Sequence, residues 1–156
     1  MAIWQYNFLV LPKDSISAND LKLGIDDDGY YDDVYWLKKP TPVLFFTDIN
    51  KIMPKGKSWC DNLLVFGNLE SNCFEVYSKN GFIQSASFRT NFTTDYEPIL
   101  SQIVEFCILK GLIIVDEKLN ITSLNLKTIK SVITNAPQVK KYNLLLNNNS
   151  PDIKLW

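Results

Sequence analysis

Apolar and polar positions along the chain follow two periods, and the clearest change from one to the other falls between residues 72 and 111. Two apolar-rich runs flank Asn80-Gly81, the dipeptide that best tolerates the positive φ angles of a type I′ turn. This predicts a β-hairpin with strands at about 72–79 and 82–90. A two-residue loop pairs Lys79 with Phe82. Counting back sets Tyr77 opposite Gln84, Val76 opposite Ser85, Glu75 opposite Ala86 and Phe74 opposite Ser87. One face then carries Phe74, Val76, Ile83, Ser85 and Ser87, and the other Cys73, Glu75, Tyr77, Phe82, Ala86 and Phe88. Both faces are half apolar. Either helices cover one side and a loop or partner the other, or a bulge near Ser87 exchanges the faces before Arg89.

After the hairpin the period becomes helical. Thr94-Asp95-Tyr96-Glu97 reads as a capping box, and Pro98 suits a first turn. Ile99, Leu100, Ile103, Val104, Phe106, Cys107 and Leu109 build an apolar face that ends at Lys110-Gly111. Earlier, Trp4, Tyr6, Phe8 and Val10 alternate with Gln5 and Asn7, which predicts a first strand over residues 3–11, central or next to an edge and ended by Pro12. A short helix is expected over residues 17–23. Lys38-Lys39-Pro40-Thr41-Pro42 is an extended break, followed by an apolar run at 43–46 and a helical turn or two at 48–53. Residues 54–57 read as a loop, Trp59 as tucked under the sheet edge, and residues 62–66 as a strand. Leu112-Ile113-Ile114-Val115 is a fifth strand or a buried extended segment, and residues 120–122 are a turn. Helices are expected at 124–135, with Leu126, Ile129, Val132 and Ile133 on one face, and at 138–146, with Val139, Tyr142, Leu145 and Leu146 turned inward. The resulting expectation is a single α+β domain over residues 1–156, ending in a polar tail from about 147. Its antiparallel sheet has about four to five strands, with helices packed mainly on one face.

Composition narrows the function classes. A 156-residue chain with 46% hydrophobic content can bury one ordinary core. Its net charge of −1 argues against general binding to nucleic acid or to an anionic membrane. No apolar run approaches the roughly 18 residues of a membrane span, and the first strand lacks a basic leader, so a cytoplasmic location is expected. Cys60, Cys73 and Cys107 are odd in number and widely spaced, which reads as reduced, mostly buried thiols. The chain has no histidine, which removes Ser-His-Asp and Cys-His catalysis and most zinc sites. It also lacks a P-loop, a dinucleotide fingerprint and a CxxC pair, so no cofactor or metal is expected. Arg89, the one arginine, reads as a structural charge paired with an acidic side chain, and Glu75 as a cross-strand or arginine partner.

The oddest stretch is Ile25 to Trp36, where five aspartates and four aromatics share twelve positions. Residues 1–50 hold eight acidic and four basic side chains, leaving nine and twelve for the rest, so the two parts differ in sign. A calcium loop fails as an explanation: placing Asp26, Asp28 and Gly29 at its third, fifth and sixth positions puts Gly24 at the first ligand and Tyr35 where a bidentate glutamate belongs. Two readings stay open, a solvated acidic loop and a binding loop. In the second, Asp26, Asp27, Asp28, Tyr30, Tyr31, Asp32, Asp33, Tyr35 and Trp36 form an anchor-and-charge surface for a basic protein partner.

Trp59, Phe66-Gly67-Asn68, Asn72-Cys73-Phe74-Glu75-Val76-Tyr77, Asn80-Gly81-Phe82-Ile83 and Arg89, followed by a helix and by Ser131 and Pro137 in the closing helices, form a further pattern. Over about residues 59–145 it resembles small bacterial immunity-type proteins encoded beside secreted or contact-delivered toxins. The resemblance implies an α+β domain that binds and neutralises one cognate toxin domain, without catalysis, as a monomer or weak dimer. Many delivered toxins are nucleases with basic active sites, which an acidic aromatic loop could plug. The alternatives are a carboxylate-dependent hydrolase, using Glu70 and Glu75 or the aspartate block, and a structural or adaptor subunit that forms a constitutive oligomer.

Overall fold

The structure, a computed structural model, describes residues 2–16, 25–26, 29–30 and 33–148. Six strands form one antiparallel sheet: β1 (Gln5–Pro12), β4 (Leu63–Gly67), β5 (Cys73–Lys79), β6 (Phe82–Asn91), β7 (Leu112–Val115) and β8 (Ile121–Thr122), in the order β4-β5-β6-β1-β7-β8. Two further short strands, β2 (Ile25–Asp26) and β3 (Gly29–Tyr30), pair with each other. The helices are α1 (Asp33–Lys38), α2 (Glu97–Lys110), α3 (Leu126–Thr134) and α4 (Pro137–Asn148), with a 3-10 segment over Val43–Lys51. The α+β expectation holds, and the sheet exceeds the expected four to five strands by one. The extra strand is β8, whose two residues are too few to show a period. The helix expected over residues 17–23 lies outside the described residues; of the tail expected from about 147, residues 147 and 148 still belong to α4 and the remainder lies outside them.

The hairpin turns at Asn80 and Gly81 with φ of 55° and 82°, as a type I′ turn requires. Lys79 faces Phe82 and Ser78 faces Ile83, but Tyr77 then faces Ser85, leaving Gln84 as an extra residue. This bulge lies nearer the turn than expected, and it shifts every later pair by one position. Val76 now faces Ala86 and Phe74 faces Phe88, so Ala86 and Phe88 move onto the apolar face and Ser85 and Ser87 leave it. The register continues across neighbouring strands. Phe66 pairs with Phe74, Phe74 with Phe88 and Phe88 with Phe8, so one row of phenylalanines crosses four strands. The Phe8 and Phe88 rings stack at 4.9 Å, and those of Phe74 and Phe88 at 6.1 Å.

The helices cover this aromatic row. Phe46 of the 3-10 segment sits between Phe74 of the sheet and Phe106 of α2, with centroids 5.4 and 5.8 Å away, while Trp36 of α1 meets it edge-on at 5.8 Å. One ring thereby joins sheet, α1 and α2. Glu97 opens α2, but the capping box does not form, because Thr94 is used elsewhere. Its hydroxyl donates to the Asn91 carbonyl at 2.7 Å and accepts from the Asn72 amide, while Glu97 reaches Lys130 of α3. The C-terminal end is as expected, since Gly111 adopts φ 67° and closes the helix. Leu109, expected on the apolar face, projects into solvent. Asn125 caps α3 by accepting from the Thr128 amide at 3.2 Å.

Two further expectations fail. Trp59 is 76% exposed, because the sheet edge is already covered by residues 54–56. Gly67 donates to the Pro54 carbonyl and Gly56 to the Val65 carbonyl, at 2.8 and 2.7 Å, while the outward amide of Lys55 is taken by Asn50 Oδ1 at 2.8 Å. This close approach needs glycine, since a Cβ on Gly56 would lie 2.4 Å from the Gly67 carbonyl oxygen. On α4, Val139 packs against the core and Tyr142 meets Phe92 edge-on at 5.7 Å, but Leu145 and Leu146 are exposed. The helix rests on the domain by its first two turns only.

Candidate functional site

The acidic block enters the fold through β2 and β3, where Ile25 pairs with Tyr30 and Asp26 with Gly29. Asp27, Asp28, Tyr31 and Asp32 lie outside the described residues. Asp33 begins α1, a helix of six residues. Here the sequence reading needs correcting: Tyr35 and Trp36 are each 1% exposed and belong to the core, so neither projects as a surface anchor. Six residues give less than two helical turns, too little for the pattern to show which side faces inward. Among the described residues the buried Trp36 indole N–H has no hydrogen-bond partner, and packing against Phe46 holds this side chain in place.

With Tyr35 and Trp36 turned inward, α1 presents Val34 and Leu37 outward, and Leu37 is 62% exposed. Next to it the tip of the β5–β6 hairpin presents Phe82, half exposed. The chain after α1 is tied to that tip: Ile83 donates to the Thr41 carbonyl at 2.9 Å, and Val43 to the Gly81 carbonyl at 3.1 Å. Helix and tip thus enclose a groove of about 640 Å³, with Asp33, Leu37, Pro40, Lys79 and Phe82 in its lining and the buried Trp36 behind them. Leu37 and Phe82 were missed as a pair because they are distant in sequence. The one local signal was the place of Phe82 immediately after Asn-Gly, at the free end of a hairpin.

Arg89 and Glu75 meet as read, with Arg89 Nη2 2.8 Å from Glu75 Oε1 in a partly buried diagonal pair on the face away from the phenylalanine row. Around them, loop 68–72 is held by the side chains of Trp4 and Gln5 and by the backbone of the hairpin's last residue. Gln5 Nε2 donates to the Leu69 and Ser71 carbonyls at 2.9 and 2.7 Å, the Trp4 indole to the Glu70 carbonyl at 2.8 Å, and the Asn91 amide to Asn72 Oδ1 at 2.7 Å. Gln5 is thereby buried with its polar atoms satisfied. Cys73 lies under this pair, and burial, with Glu75 nearby, pushes its thiol up to about 11.

A polar cleft of about 460 Å³ opens between the β7–β8 turn and α3–α4, with Tyr6 in its lining. Its carboxylates serve the fold. Asp116 accepts the amides of Lys118 and Asn120, both at 2.9 Å. Glu117 accepts the Asn7 amide at 3.0 Å and Gln138 Nε2 at 2.9 Å, linking β1 to α4 beyond the end of β7. The Tyr6 hydroxyl accepts the Glu117 amide at 3.1 Å, and burial pushes its pKa up to about 12. Among the described residues, no three His, Cys, Asp or Glu side chains converge as a metal site, and no helix is long and apolar enough to cross a membrane.

The chain matches no family model, no curated protein and no solved structure.

Proposed function

We propose that this protein acts by stoichiometric binding to another protein, as an immunity protein that neutralises a cognate bacterial toxin domain. The observation that carries the reading is the groove at α1. It brings the exposed apolar side chains of Leu37 and Phe82 beside Asp33, at the point where the aspartate-rich block joins the folded domain. Apolar anchors within a charged rim are the usual composition of a protein-binding patch. Asp26, Asp27, Asp28, Asp32 and Asp33 add a concentrated negative charge that favours a basic partner surface, such as the active site of a nuclease, and speeds encounter with it. The resemblance over residues 59–145 supplies the class of partner.

Co-expression with the C-terminal domain encoded by the neighbouring gene tests the proposal. Cell survival together with a complex of one copy of each chain is the expected result. Growth inhibition without rescue would refute it. Within that complex, changing the five aspartates to asparagine should weaken binding at least tenfold at low salt, and an unchanged affinity would remove the acidic block from the interface.

A further inference from the structure

A second groove lies between the 3-10 segment Val43–Lys51 and strand β4, on the other side of residues 40–43 from the α1 groove. We propose that it is a docking surface for an acidic segment of a protein partner that carries a large apolar side chain. Its volume is about 360 Å³; Val43, Leu64 and Phe66 supply its apolar lining, and Thr47, Asn50 and Lys55 its polar one. Leu44, also in the lining, is 80% exposed.

Two observations fix the occupant. The first is charge. Lys55 is the one charged side chain lining the groove, and among the described residues it takes part in no ion pair. Its backbone amide donates to Asn50 Oδ1, which fixes the point on the groove wall from which the side chain extends. Lys57 and the exposed Trp59 follow in the sequence, and among the described residues the ion pair of Lys51 is with Asp48 on its own segment, at 3.4 Å. A carboxylate on the occupant therefore meets uncompensated positive charge, whereas a basic segment meets repulsion. The second observation is openness. A small amphiphile in this groove would keep much of its own surface in water, because the rim leucine stands clear of the protein. A protein segment covers Leu44 as well as filling the groove, which removes more apolar surface from water.

This surface does not rest on the α1 groove, and its charge is of the opposite sign. The test is selection of a random peptide display library on the purified full chain. The expected result is enrichment of peptides that combine Asp or Glu with Phe, Leu or Trp. A synthetic peptide of the enriched sequence should lose at least tenfold in affinity to each of Leu44→Asp and Lys55→Glu. Both positions are exposed, so the variants should keep the parent's unfolding temperature, and their thermal melts check this. Enrichment of basic peptides, binding that survives both substitutions, or no enrichment at all would overturn the proposal. So would dodecanoate binding more tightly than any selected peptide, which would make the groove a lipid site.

Discussion

Replacing Phe46 by alanine should destabilise the domain more than any single change on its surface, and the size of the effect follows from what the ring touches. Phe46 is fully buried, and it contacts the rings of Trp36, Phe45, Phe74 and Phe106 at 5.2 to 5.8 Å. Truncating a buried phenylalanine costs about 3–5 kcal/mol, depending on how far the surroundings close the gap. Here the neighbours belong to the sheet, α1 and α2, so no single element can move in to fill it. That places the expected loss near the top of the range, about 4–5 kcal/mol, a large part of the roughly 5–15 kcal/mol that holds a domain folded. With a urea dependence of about 2 kcal/mol per molar, the unfolding midpoint should fall by about 2 M with an unchanged slope. Phe46→Leu, which keeps most of the volume, should lose about 1.5 kcal/mol or less. Phe82→Ala, at a half-exposed ring, should stay within about 0.5 kcal/mol. A midpoint shift below about 0.5 M for Phe46→Ala would show that the ring does not join the three elements.

Gly67 and Gly81 have similar positive φ, 87° and 82°, but a Cβ on Gly67 would lie 2.4 Å from the Asn72 carbonyl oxygen whereas one on Gly81 meets nothing within 4 Å. Alanine should therefore cost about 1–2 kcal/mol at Gly81, and at least about 2 kcal/mol more at Gly67; equal costs in urea titrations would contradict the close approach. The Glu75–Arg89 pair is partly buried, so a double-mutant cycle with Glu75→Gln and Arg89→Met should give a coupling of about 1–2 kcal/mol, above that of exposed pairs. Burial raises Tyr6 from 10.0 to about 12, Cys73 from 9.0 to about 11 and Cys107 from 9.0 to about 12. The folded chain thus holds these protons more tightly than the unfolded one. Their contribution to stability should be complete below about pH 9 and disappear as pH rises from 9 to 12, as urea midpoints across that range would show. A thiol reagent at pH 8 should label Cys60 in the native protein and reach Cys73 and Cys107 only on unfolding; early labelling of all three would contradict their burial.

Much of the framework was legible in local chemistry. Asn80-Gly81 located the hairpin, Gly111 the end of α2, and Leu126, Ile129, Val132 and Ile133 the inward side of α3. The half-apolar faces left open either a sheet covered on both sides or a bulge near Ser87; a bulge is present, at Gln84. What escaped were features decided by competition between distant groups. The Thr94 hydroxyl oxygen, read as the acceptor of a helix amide, instead accepts the side-chain amide of Asn72 from a distant loop while donating to the Asn91 carbonyl. Tyr35 and Trp36 were read as surface aromatics because aspartates precede them, but aromatic burial outweighs the preference of nearby charges when a hydrophobic layer lies beneath. For the same reason the candidate site moved from those two residues to Leu37 and Phe82, which only the folded chain brings together.

The closed edge of the sheet has a consequence for how recognition could change over time. Pro54 lacks an amide hydrogen, the Lys55 amide is already occupied, and β8 at the opposite edge offers just two residues. A partner that joins by adding a strand finds little backbone to pair with, so contact must run through side chains. Backbone pairing is indifferent to sequence, whereas side-chain contact is not. Exposed positions such as Leu37, Leu44 and Phe82 contribute little to the core and can be exchanged without disturbing the phenylalanine row beneath them. On the proposed binding role, the same scaffold would be refitted to a different partner by a few surface substitutions while its fold stays constant.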